Sequence, residues 1–130
     1  MKKLKIFFDA DYPAYLIESL QKIHELQTEK TFELHSWDNA LINRSKLDEA
    51  VFLLMDFQKR GLSEQVLRHF EDGYRIFVCK AGEASFDYFE FAMTVLKVWP
   101  YIIENGLQLK KPFCFTFKYG GHRLNKKKID

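Results

Sequence analysis

Three carboxylates stand where apolar runs end. Asp9 and Asp11 follow the run in "KIFFDADYPAYL", and Asp56 closes "VFLLMD". In an open parallel sheet, ligands gather at the carboxyl ends of the strands. Two such acids on neighbouring strands repel each other, and a bound Mg²⁺ or Mn²⁺ relieves that cost by supplying positive charge. Asp9 and Asp56 are therefore candidate metal ligands, with Asp11 a further oxygen donor on the same loop. The plain alternative is that Asp9 and Asp11 favour the positive end of the helix entered at Pro13, an effect of at most about 1 kcal/mol.

Other chemistries find less support. Gly82, Gly120 and Gly121 do not fall into the spacing of a phosphate-binding glycine loop, and no GxSxG elbow is present. His24, His35, His69 and His122 are scattered rather than paired at ligand spacing. Only His122, beside Arg123 and after a Gly-Gly turn, is kept as a phosphate contact. Cys79 and Cys114 lie in apolar runs without CxxC or Cys/His spacing, as expected of two buried thiols rather than a disulfide or zinc site.

Net charge is only +2, but the carboxyl-terminal stretch gathers Lys110, Lys111, Lys118, Arg123, Lys126, Lys127 and Lys128 against Asp130. A basic edge of this kind attracts phosphates, although the terminal lysines read more simply as a solvated tail.

The elements that must position these residues can be read from periodicity. With 130 residues, 47% hydrophobic and 13 of them Phe, the chain is expected to form a single domain over 1–130 with an aromatic core. No apolar stretch approaches the roughly 20 residues of a membrane span and no leader is evident, so a cytoplasmic protein without membrane contact is expected. "KLKIFFD" predicts a buried first strand, followed by a helix with Leu16, Leu20, Ile23 and Leu26 inward. "TFELHSW" predicts a second strand and "DNALINRSKLDEA" a short helix. "VFLLMD" reads as a strand covered on both faces. Ser63 caps "EQVLRHFED", with Leu67 and Phe70 inward and Gly73 ending it, and "YRIFVC" is the fourth strand. Ser85 is expected to cap a long helix that Pro100 bends or ends and Gly106 closes, with Phe86, Phe89, Trp99 and Tyr101 as core and cover. "KPFCFTFKYGGHRL" predicts a strand opening a hairpin at Gly120 and Gly121. Alternating strands and helices make an α/β sandwich.

Two families place acids at strand ends. Asp9, Asp11 and "VFLLMDFQKRG" resemble a response-regulator receiver, in which Asp56 would accept a phosphoryl group. The chain lacks that family's final helix and closes in a hairpin-like segment instead. The chain more closely resembles the PIN-like domains, which include VapC-type toxin ribonucleases and small relatives. "FFDADYP" resembles their opening strand and turn, "VFLLMD" their strand ending in an acid, and "SFDYFEFAMTVLKVWPYI" with "PFCFTFKYGGHRL" their late helix and closing strand.

The resemblance implies an α/β, PIN-like three-layer sandwich with a mainly parallel central sheet and a C-terminal strand or hairpin. It also implies a metal-dependent endoribonuclease using Mg²⁺ or Mn²⁺, with Asp9, Asp11 and Asp56 as metal ligands and Asp38 as a further catalytic carboxylate, for which Asp48 and Glu49 compete. Lys59, Arg60, Lys118, His122 and Arg123 would contact RNA. Partners would be RNA and, for a toxin of a toxin–antitoxin pair, an antitoxin-like protein, with room for a homodimer. A catalytically silent PIN-like binding module is the alternative.

Overall fold

The computed structural model describes residues 3–27, 32–82 and 87–128. Five parallel strands, β1 (Leu4–Phe8), β2 (Phe32–Ser36), β3 (Ala50–Asp56), β4 (Ile76–Lys80) and β5 (Cys114–Lys118), and an antiparallel β6 (Asn125–Lys126), form one sheet in the order β2-β1-β3-β4-β5-β6. Four helices, α1 (Ala14–Gln27), α2 (Asn39–Arg44), α3 (Glu64–Glu71) and α4 (Tyr88–Gln108), cover its two faces. This is a three-layer α/β architecture with a mostly parallel sheet. Among the described residues no helix is long and apolar enough to cross a membrane.

Strand alternation divides the core. Ile6 and Phe8, Val51 and Leu53, Phe77 and Cys79, and Phe115 and Phe117 face α1 and α4. Phe7, Phe52, Leu54, Ile76, Val78 and Cys114 face α2 and α3. Because both sides are covered, every residue of β3 is buried, which is why its sequence is a continuous apolar run rather than an alternating one. Cys79 and Cys114 are free and buried, and burial pushes their thiols up to about 12 and about 11.

The placement of α4 is unusual. It joins β4 to β5 on the same face as α1, whereas α2 and α3 occupy the other face. Since α1 moves the chain one way along the sheet and α4 moves it the other, the β4–α4–β5 crossover has the opposite hand to the other three, against the strong right-handed rule. No helix follows β5 among the described residues, so α4 is the element left to cover β3, β4 and β5 on that side. Its packing is close: a side chain at Gly106 would meet Leu4 and Val51 at 3.2 and 3.3 Å. The buried Arg75 ties the end of α4 to the sheet, its Nη1 donating to the carbonyls of Gly106 at 2.8 Å and Leu109 at 2.7 Å and its Nε to Leu47 at 3.1 Å. A cation suits the negative end of a helix.

The structure departs from the sequence pattern most in the helices. Helix α4 runs through both Pro100 and Gly106 rather than ending there. Gly106 serves close approach to the sheet. The cap of α4 is Asp87, whose side chain accepts from the amide of Phe89; Ser85 and Phe86 lie outside the described residues. Trp99 is buried as expected, but Phe89 and Tyr101 are exposed, as are Ile23 and Leu26 on α1, where Ile17 and His24 are buried instead. On α3 the fully buried residue is Val66, with Leu67 and Phe70 only partly covered.

Candidate functional site

In this strand order the chain leaves β1 toward β2 and returns past β1 to β3, so the switch point lies between β1 and β3. A cleft of about 180 Å³ opens there, lined by Asp9, Ala10, Trp37, Leu54, Gln65 and His69. Asp9 follows β1, Trp37 follows β2, Leu54 lies on β3, and Gln65 and His69 stand four residues apart on α3, hence on one helical face.

Asp9 is pinned by two backbone amides: Met55 donates to its Oδ2 at 2.7 Å and Asp11 to its Oδ1 at 2.9 Å. Burial outweighs these bonds and, with a smaller contribution from the charge of Asp11, pushes the Asp9 carboxyl up to about 6. Tyr12 braces the same loop by donating its buried hydroxyl to the Leu54 carbonyl at 3.1 Å. Asp11 itself is exposed.

The wall opposite Asp9 is aromatic. The His69 ring stacks on Tyr74 with centroids 5.0 Å apart and meets Trp37 at 5.3 Å, while Trp37 and Tyr74 both pack on Phe52. Burial lowers the pKa of His69, so the ring is neutral at pH 7. Trp37 is oriented further by its Nε1, which donates to Asn39 at 3.0 Å.

Asp56 has a different task. Its Oδ1 accepts from the amide of Gln58 and its Oδ2 from the amide of Ser63, both at 2.8 Å, and the Lys80 ammonium lies 3.5 Å from Oδ2. Lys80 also donates to the carbonyls of Gln58 and Gly61. Acid and amine together brace the loop between β3 and α3, so the positive charge that Asp56 needs comes from within the chain.

Of the other residues expected at the site, Lys118, His122 and Arg123 come together in a separate cleft of about 210 Å³ with Gly121 and Asn125, and the rest are apart from it. Asp38 is exposed and caps α2, accepting from the amide of Leu41 at 3.1 Å. Asp48 and Glu49 precede β3 at the opposite end of the sheet. Lys59 and Arg60 are exposed on the braced loop. Register places Asp56, Lys80 and Lys118 in one row across the carboxyl ends of β3, β4 and β5. His122 and Arg123 lie beyond the turn at Gly120 and border a cavity of about 390 Å³ with Tyr101 and Asn105 of α4. The site thus joins Asp9 to Trp37, Gln65 and His69, which the sequence did not single out; the signal available for the last two was their i, i+4 spacing on the helix after an acid-ended strand. Among the described residues no group of three or more His, Cys, Asp or Glu converges as a metal site.

Compared with family models, with curated proteins and with solved structures, the chain matches none.

Proposed function

We propose that this is a PIN-like domain that engages single-stranded RNA along the carboxyl edge of its sheet and hydrolyses a phosphodiester beside Asp9 and Asp11. The observation that carries the reading is the half-buried Asp9 in the cleft at the β1–β3 switch point, with exposed Asp11 on the same loop. Lys118 at the end of β5 and the exposed Lys59 and Arg60 on the β3–α3 loop offer cations for flanking phosphates.

The acids are suited to a divalent ion in one respect. Mg²⁺ is commonly held by one or two carboxylates, with substrate phosphate and water completing its shell, and Asp9 beside Asp11 is such a pair, its proton held up to about pH 6 by burial and by its neighbour's charge. Asp56 does not fit, since the Lys80 ammonium already supplies the positive charge it needs; amides on both oxygens, which Asp9 also has, supply none. When bound, Mg²⁺ or Mn²⁺ supplies charge stabilisation and an activated water. The chain does the rest: Asp9 is ionised above about pH 6, and Lys59, Arg60 and Lys118 neutralise flanking phosphates.

A second reading is a metal-free PIN-like binding module, favoured by a site whose second strand-end acid is already neutralised by Lys80; it would retain an RNA or antitoxin-like protein partner. RNA binding and cleavage measured across a Mn²⁺ titration separate the two. Nuclease action requires metal-dependent cleavage that Asp9→Asn and Asp11→Asn reduce, without loss of fold, by at least the roughly 10–100-fold typical of losing a group that supports a metal site. Metal-independent RNA binding without cleavage selects the silent module, and absence of both ends the RNA assignment.

A further inference from the structure

Five rings stand nearly parallel in a row on the α2–α3 side of the sheet. His35 of β2 stacks on Phe7 of β1, Phe7 on Phe52 of β3, Phe52 on Tyr74 ahead of β4, and Tyr74 on His69 of α3, with centroids 5.4, 5.4, 4.3 and 5.0 Å apart. The row ends at His69. Among the described residues that ring has one stacked neighbour, because Trp37, 5.3 Å away, meets it at a tilt of 50°. His69 and Trp37 are both partly exposed, and they border the Asp9 cleft together with the exposed Gln65, one helical turn before His69. At about 180 Å³ the cleft is smaller than the roughly 300–1,000 Å³ of a pocket that engulfs a drug-sized ligand. It has room for one ring system and not for a whole cofactor.

We propose that the cleft seats a single unpaired nucleobase, which extends the row of rings past His69 and packs against Trp37. The inference rests on the reading of this edge as the place where single-stranded RNA is held, and names the part of the strand that enters. Stacking on aromatic side chains tolerates any sequence, because every base has a π-face. Charge decides which part of a nucleotide goes inside. Asp9 lines the cleft opposite the rings, and a carboxylate there repels phosphate, whereas a base carries no charge; the base enters and its phosphates stay outside. Gln65 brings an amide with both donor and acceptor atoms, so it can bond the polar edge of any of the four bases. A base within a duplex keeps that edge paired and its faces stacked, so the seat selects unpaired RNA.

Tryptophan fluorescence titrated with the four nucleoside 5′-monophosphates, and with ribose 5-phosphate as the base-free control, tests it. The nucleotides should quench the emission and ribose 5-phosphate should not, and Trp37→Phe should abolish the quenching with an unchanged circular dichroism spectrum. In the unmodified protein, the ring protons of His69 should shift upfield as nucleotide is added, the mark of a ring stacked on them. For an oligouridylate, Trp37→Leu and His69→Ala should each weaken binding about 5- to 150-fold, the span of one lost base stack, and annealing the strand to its complement should remove its quenching. Equal quenching by ribose 5-phosphate, quenching that survives Trp37→Phe, or no response to any nucleotide in either emission or the His69 protons overturns the base seat. If RNA is still bound or cut in that case, the reading of the edge stands without the seat; no RNA binding by any measure, with no response to nucleotides, overturns both.

Discussion

Asp9 and Asp56 occupy equivalent places, each at the carboxyl end of a buried parallel strand, yet the protein uses them differently. Asp56 is 2% exposed and fully served, by two amides and the Lys80 ammonium. Asp9 is half-buried, held by two amides, and its carboxyl is pushed up to about 6. A strand-end acid is therefore not a site by position. The partner that neutralises it decides whether it braces a loop or stays available to a ligand.

The largest effects should come from breaking the Asp56 brace. Asp56→Ala strands two loop amides and a half-buried ammonium, and is expected to cost about 3–5 kcal/mol in urea unfolding, the range for breaking a buried pair. Lys80→Met should cost less, because the amides still hold the carboxylate. Combining the two should cost less than the sum by about 0.5–3 kcal/mol, since the groups act on each other; strict additivity would mean that Lys80 does not compensate Asp56.

Asp9 should behave in the opposite sense. Its folded value of about 6 lies above the ordinary 3.8, so the folded state holds the proton more tightly. Stability from this group is full below pH 4 and lost as pH rises through 6. The gap corresponds to about 3 kcal/mol, which partial solvent access reduces to about 1–2 kcal/mol. Wild type should lose that amount between pH 4 and pH 7, and Asp9→Asn should lack this component of the pH dependence. A Mn²⁺ ion held at Asp9 would oppose the loss above pH 6. Chemical denaturation at several pH values, with and without Mn²⁺, measures both.

The smallest effects concern the cations beyond the brace. Neutralising Lys59, Arg60 and Lys118 should reduce the salt dependence of single-stranded RNA binding, by about 0.7 in logarithmic slope for every phosphate that is no longer neutralised, while replacing Lys126, Lys127 and Lys128 should change it little. Because His122 and Arg123 share a cleft with Lys118, neutralising them as well should lower the slope further. Equal slopes for wild type and the triple variant would remove RNA from this edge.

Local pattern made much of the fold legible. The continuous run of "VFLLMD" announced a strand covered on both faces, the alternation of Phe113, Phe115 and Phe117 a strand with one aromatic face, and Ser63 the start of α3, where its side chain accepts from the amide of Val66. The strands that end near Asp9 and Asp56 are neighbours, as a shared site would require, in the β1–β3 pair. The same rules misread α4, because proline and glycine are helix breakers only where nothing compensates them; here burial of Val98, Trp99 and Ile102 around Pro100, and the close approach at Gly106, favour continuation.

By itself the sequence determined which residues end strands and cap helices, since these depend on neighbours within a few positions along the chain. It also set the aromatic character of the core and the two buried thiols. Only the tertiary structure decided that Lys80 neutralises Asp56, that Trp37, Gln65 and His69 close around Asp9, and that Tyr15, Leu26 and Phe89 stay outside. Those outcomes depend on strand order and on the face α4 covers, which bring together groups far apart in the chain: Lys80 belongs to the strand after Asp56, with a whole helix between them, yet register sets the two side by side. Hydrophobic periodicity specifies that a face is buried but not against what, and the charge that meets a carboxylate is fixed by that second choice.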